Sequence, residues 1–279
     1  MHDTAFSEML RQFINISASY EESRQLRESL VTRQADALLC IFEPEDRLLA
    51  ASAMAQLDPS QADLVLPVLI EGLKSQNSTD RTSAAIVCWH LGPVASSAVP
   101  ALVDVLNNDD DDVDNEIPRH RALLALKAIG PAAVCSVPAL VEILHGVGPD
   151  TSPLKISDAM DSAAALGGIG PSADAGLPAL WECLNLDGAG NEFIRWLRLE
   201  ASEAIWRISN VTDSALSIAT EMLLGDEEWF LRYHAANLLG KLGPVAEPAI
   251  MHLQRSLTDE DENVRSAVGM ALAAITQNY

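Results

Sequence analysis

The chain has 279 residues, 48% of them hydrophobic but only 5% aromatic, and its 18 Lys+Arg against 40 Asp+Glu leave a formal net charge of −22. Half the chain is apolar, enough for a buried core, so wholesale disorder is excluded. The negative charge repels phosphate backbones and anionic headgroups, which argues against nucleic acid and membrane surfaces as partners.

The opening MHDTAFSEML has no basic region leading into an apolar stretch, so no leader is expected there. No uninterrupted apolar run reaches the roughly 18 residues of a membrane span. Cys40, Cys88, Cys135 and Cys183 show no CxxC or zinc-like spacing. They are expected to be reduced thiols packed as small hydrophobes in a cytoplasmic protein, with no cofactor.

In chain order, residues 4–19 predict an amphipathic helix, and 1–21 are assigned as an N-terminal cap. Residues 22–279 repeat. An aliphatic residue followed by Gly-Pro recurs at Leu91-Gly92-Pro93, Ile129-Gly130-Pro131, Ile169-Gly170-Pro171 and Leu242-Gly243-Pro244, with Leu57-Asp58-Pro59 as a weaker copy. A second proline opens the next apolar segment at Pro100, Pro138 and Pro178. Pro248 follows Pro244 so closely that a shortened turn is expected there. Ten residues before the aliphatic anchors stand Arg47, Arg81, Arg119, Arg198, Arg232 and Arg265; Ala159 is the exception. Neighbouring registers lie 33 to 40 residues apart, which gives about seven units of two helices each.

With the arginine as position zero of the second helix, small residues follow at +3: Ala50, Ala84, Ala122, Ser162, Ala201, Ala235 and Val268. Larger ones follow at +7: Met54, Cys88, Leu126, Leu166, Ile205, Leu239 and Leu272. Positions 0, 3, 7 and 10 share one helical face. Gly caps the helix in a left-handed conformation and Pro stops it; the second Pro starts the next helix, where a missing N–H costs nothing.

The Leu-Gly-Pro cap, the Val-Pro-Ala-Leu opening (Val99–Leu102, Val137–Leu140) and the Arg before an Ala-rich helix resemble the HEAT-repeat superfamily in its short bacterial form. The resemblance covers about residues 22–277. It implies an all-α, right-handed α-solenoid of seven antiparallel helix pairs behind an N-terminal capping helix. It also implies that an acidic residue six before the arginine pairs with it; Glu192, Asp226 and Asp259 stand there. The loops at 146–153 and 186–191 and the pair Gly167-Gly168 predict a change of superhelix curvature over 146–191.

Acidic residues gather between the helices of a unit, at Glu43 to Asp46, Asp109 to Glu116, Asp226 to Glu228 and Asp259 to Glu262. They suit helix N-termini and also predict an acidic edge for a basic partner. The run from Asp109 is no EF-hand, because Asn115 and Arg121 stand where Gly and Glu are required.

In the resemblance, positions +1, +5 and +8 of the second helices face a concave groove. The candidate partner-binding residues there are Ile86, Trp89, His120, Leu124, Lys127, Leu199, Glu203, Trp206, Tyr233 and Asn237. Thr82, Met160, Ala164, Gly167 and Gly240 hold the remaining places. Exposed tryptophans on such a surface are binding anchors. The histidines form no catalytic motif and no shared metal site is expected. The expected function is a non-enzymatic scaffold that binds a protein or peptide, basic in character. The alternative is a subunit or chaperone acting on a chromophore-binding protein, because Leu231–Gly240 also resembles helices of bilin lyase subunits.

Overall fold

The computed structural model describes residues 44–57, 62–108, 116–148 and 150–276. The capping helix expected within 1–21, the first helix of the first unit and the acidic run 109–115 lie outside them. The described residues form helices and turns, without strands.

Seven second helices are present: α1 (Pro44–Leu57), α3 (Ser78–Leu91), α5 (Glu116–Ile129), α7 (Pro153–Ile169), α9 (Glu192–Ser209), α11 (Trp229–Leu242) and α13 (Glu262–Thr276). Six first helices alternate with them: α2 (Ala62–Leu73), α4 (Val99–Asn107), α6 (Val137–His145), α8 (Leu177–Leu184), α10 (Asp213–Gly225) and α12 (Ile250–Ser256). All seven +3 residues are buried, as are the anchors Leu91, Ile129, Ile169, Ile208, Leu242 and Ile275. The side chains that the repeat places on one face therefore do form the core.

Local chemistry sets the helix ends. Asn77 accepts from the Thr79 amide at 2.9 Å and opens α3. Asn191 accepts from Phe193 and Ile194 and opens α9. Asp261 accepts from Asn263 at 2.8 Å and from Val264 at 3.2 Å and opens α13. At the other end of α3, Gly92 has φ 55° and its N–H returns to the carbonyls of Cys88 and Trp89. A side chain at that φ costs roughly 1–2 kcal/mol.

Each Gly-Pro then begins a seven-residue 3-10 turn: Gly92–Ala98, Gly130–Ser136, Gly170–Gly176 and Gly243–Ala249. The turn at 243–249 is as long as the others, so it is not shortened; Pro248 simply falls inside it. Pro100 and Pro178 sit in the first turns of α4 and α8.

The chain divides into two compact units, residues 1–139 and 140–279, with the boundary inside α6. In the N-terminal unit, α3 packs along α5 and more lightly against α1. In the C-terminal unit, α7 packs along α9 and α11 along α13. Those two contacts are close because Gly167 and Gly240 face the next helix. A Cβ on Gly167 would stand 3.1 Å from the Cα of Ala204, and one on Gly240 3.1 Å from the Cα of Ala271. Between α9 and α11 the contact is much sparser. There the +8 position is Trp206, which packs half-buried on the core and leaves no room for backbone approach.

Two stretches, 78–107 and 117–145, are long and apolar enough to cross a membrane. About half of each apolar window is buried in the protein, 50% and 44%. Each is two helices broken at a positive-φ glycine, Gly92 or Gly130.

Candidate functional site

The arginines act first on the turn before their own helix. Arg81 Nη1 donates to the carbonyls of Ser75 and Gln76 at 2.9 and 3.0 Å. Arg232 Nη1 donates to Asp226 and Glu227, both at 3.0 Å, and Arg265 Nη1 to Asp259 and Glu260 at 2.7 and 2.9 Å. Arg119 Nη1 reaches Leu106 O at 2.6 Å across a longer connection. Each tethers carbonyls that the turn leaves without a helical partner.

The expected ion pair within one unit is corrected by the geometry. The residue six before Arg232 offers its backbone carbonyl, and the carboxylate comes from the next unit. Arg232 Nε and Nη2 grip Asp259 at 2.8 and 2.9 Å, with Glu260 at 3.3 Å. Both Arg232 and Asp259 side chains are only 10% exposed. The fork holds the Asp259 carboxyl below the usual carboxylate range and raises Arg232 further. The acidic turn is thus partly consumed internally.

In α9 the role passes to a residue the spacing did not mark. Arg195 Nε and Nη2 grip Asp226 at 2.7 and 3.2 Å, and Nη1 reaches Gly188 O at 3.3 Å. Asp226 is almost completely buried. Arg198, the ladder residue counted from Ile208, makes no such pair. The reason is helix length: α9 has 18 residues where α3, α5 and α11 have 14, an added N-terminal turn. Helices α3, α11 and α13 begin three residues before their arginine, and α9 begins three before Arg195. Among the described residues, Arg47 meets Glu71 at 3.3 Å, with the side chains 26% and 64% exposed.

Where α9 and α11 splay, aromatic rings and an ion cluster occupy the wedge. The Trp196 ring lies 5.3 Å from Phe230 and 5.1 Å from His234, centre to centre. Trp229 stands edge-on to Phe230 at 6.2 Å, and Tyr233 edge-on to His234 at 5.2 Å. Trp196 Nε1 donates to Glu200 at 3.2 Å. Trp229 is 46% exposed; Trp196, Phe230, Tyr233 and His234 are half-buried. Both carboxylate oxygens of Glu203 accept from Lys241 Nζ at 2.9 Å, and Oε1 also meets Arg207 Nη2 at 2.7 Å. Burial alone would push its carboxyl up, but the two cations hold it below its ordinary value. Burial, reinforced by Lys241, lowers His234, with Glu203 opposing. His234 is therefore neutral near pH 7, and its ring is available for stacking.

The residues expected at +1, +5 and +8 fall differently. Leu199 is 3% exposed and belongs to the core, so it presents nothing to a partner. Trp206 and Tyr233 pack half-buried against that core. Glu203 is engaged by Lys241 and Arg207. Asn237 is half-buried. In the N-terminal unit, Trp89 is 41% exposed and stacks on His90 at 4.8 Å. Lys127 is exposed, while Ile86, His120 and Leu124 are half-buried. Positions −2, +2, +5 and +9, which share +5 with the expected set, hold Trp196, Glu200, Glu203 and Arg207 on α9 and Phe230, His234, Asn237 and Lys241 on α11. This is a helical stripe of spacing 4, 3, 4, turned from the expected one. Among the described residues, no group of three or more His, Cys, Asp or Glu is placed to hold a metal ion.

Residues 191–273 match the HEAT repeat family. No curated protein sequence matches the chain. Among solved structures, the chain is similar in fold to the complex of CpcE and CpcF of phycocyanin lyase from Nostoc sp. PCC7120. The two are 19% identical over 86% of this chain and 93% of that one, with a TM-score of 0.54. An engineered protein is also similar, at 19% identity over 96% of this chain and 78% of that one, with a TM-score of 0.46. Residues 191–273 thus carry HEAT repeats, and the chain shares a helical-repeat fold with that solved structure.

Proposed function

We propose that this HEAT-like repeat protein is a non-enzymatic interaction scaffold that takes a basic protein segment against the aromatic wedge of its C-terminal unit. The supporting observation is the set of touching, partly exposed rings of Trp196, Trp229, Phe230, Tyr233 and His234. Helices α9 and α11 carry six of the chain's thirteen aromatic residues. Large rings anchor interfaces at low entropic cost, and their truncation typically costs about 2 kcal/mol or more. Their faces also attract Lys and Arg, by about 0.5–2 kcal/mol each. Glu227 and Glu228 precede Trp229, and the net charge of −22 steers a basic partner towards the protein. The same charge keeps nucleic acid and anionic membranes outside the proposal, and Trp89 with its His90 stack is a lesser anchor in the N-terminal unit.

The test is affinity capture from the native lysate by wild type and by Trp196→Ala/Trp229→Ala. Basic proteins retained by wild type are expected to be lost from the double variant, with the urea midpoint of the two proteins close together. Equal capture by both removes the wedge as the docking surface. The second reading, action on a chromophore-binding protein, is motivated by the fold likeness to phycocyanin lyase. Titration with a bilin separates the two: saturable uptake with a shifted absorption band supports the second reading, and an unchanged spectrum supports the scaffold.

A further inference from the structure

A cleft of about 780 Å³ opens at the interhelix edge of the C-terminal unit. Its walls are the end of α8, the loop 185–190, and the C-terminal turn of α10. Arg195 and Arg198 line it together with Asp226. The volume lies in the range of small-ligand and peptide-residue pockets.

The two arginines differ sharply. Arg195 folds back over Gly188, where a Cβ would come 2.8 Å from Arg195 Cγ, and takes both oxygens of Asp226. That is the carboxylate which, by the repeat pattern of Arg232 with Asp259, belongs to the arginine of this unit. The added turn of α9 supplies a second arginine three residues on, on the same helical face, and Asp226 is already spent. Arg198 Nε is buried without an acceptor among the described residues, as are the Nε atoms of Arg47, Arg81, Arg119 and Arg121; those of Arg47, Arg81 and Arg119 belong to side chains that bond through Nη1, and Arg198 shows no such bond. A buried donor without a partner forfeits the hydration it would have in water, and a planar guanidinium is matched best by a carboxylate.

We infer that this cleft binds a carboxylate of a protein partner, an acidic side chain or chain terminus, on the guanidinium of Arg198. The inference rests on the reading that the chain binds a protein segment. Asp187, Glu221 and Glu227 also line the cleft. They disfavour phosphate and free polyanions and favour a single carboxylate carried by an otherwise basic segment. Trp229 stands two residues after Glu227, so a segment lying on the aromatic wedge has the cleft beside it.

The experiment uses the full chain and two fluorescent Lys-rich peptides that differ only in one central Glu or Gln, with inorganic phosphate as the control anion. Anisotropy gives affinity, and the Arg Nε–Hε resonances report the site. The Glu peptide is expected to bind at least tenfold tighter than the Gln peptide and to move the Arg198 resonance. Arg198→Gln should erase that preference, and Arg198→Lys, which keeps the charge but loses the fork, should keep only part of it. In Trp196→Ala/Trp229→Ala, both peptides should weaken while their ratio persists, so failure of the aromatic wedge is distinguishable from failure of the cleft. Equal affinity of the two peptides, binding of neither, or an equal response of Arg198 to phosphate would each overturn the inference.

Discussion

Replacing Arg232 by Met strips the junction between the last two repeats of its fork. The substitution keeps an apolar stem of similar length, so packing is largely preserved. It leaves the Asp259 carboxylate, 10% exposed, with the Asp261 amide at 2.9 Å and the nearby charge of Arg265. It also releases the carbonyls of Asp226 and Glu227. Stranding one partner of a buried ion pair costs about 3–5 kcal/mol, which sets the expected loss. Arg47→Met supplies the contrast: its ion pair with Glu71 is 3.3 Å long and the side chains are 26% and 64% exposed, so the loss of that pair should stay below about 1 kcal/mol. Repeat arrays need not unfold in one step, so urea unfolding followed by circular dichroism should be paired with hydrogen exchange resolved over α11 to α13. Adding Asp259→Asn to Arg232→Met should recover part of the loss, because the stranded charge is neutralised. Equal costs for Arg232→Met and Arg47→Met would refute the ladder as a stabilising element.

The glycines give a paired prediction. Gly240→Ala puts a methyl 3.1 Å from Ala271 Cα and should lower the urea midpoint by an amount equivalent to about 1–3 kcal/mol. Gly269→Ala, also helical but with nothing within 4 Å, should raise it by about 1 kcal/mol. Iodoacetamide at pH 8 should label exposed Cys135 in the native protein. Cys88 and Cys183, pushed up by burial to about 12 and about 11, should label only on unfolding; a mass spectrum after timed quenching reads this directly. Stability should fall with acid in two windows. His234 has a lowered folded pKa, so its contribution is present above the ordinary His value near 6.5 and is lost as pH drops through the folded value; His234→Gln should remove that step. Glu203 and Asp259 are also lowered, so their contribution is lost only below about pH 4, read as urea midpoints across pH.

The repeat was legible because burial follows single-helix periodicity. Positions +3 and the described anchors are all interior, and Gly92, Gly130, Gly170 and Gly243 all take positive φ where the cap was expected. The binding face was less legible, since which flank of a helix is outward depends on how neighbouring helices approach one another. Gly167 and Gly240 at +8 bring helices together, whereas Trp206 at +8 holds them apart. Counting back from Ile208 also missed the extra turn of α9, so it marked Arg198 where Arg195 does the pairing. The signal was present in the sequence: Asn191 stands four before Arg195, as Asn77 stands four before Arg81. The forward pairing of Arg232 to Asp259 lay beyond any within-unit count, because it links neighbouring repeats.

Site-specific photo-crosslinking locates the docking surface on the protein. A benzophenone residue in place of Trp229, in the aromatic wedge, is compared with one in place of Met251, 65% exposed on the first helix α12. Adducts to a basic protein segment are expected from position 229 and few from 251. Adducts chiefly from 251, or equal adducts from both, would contradict docking on the wedge.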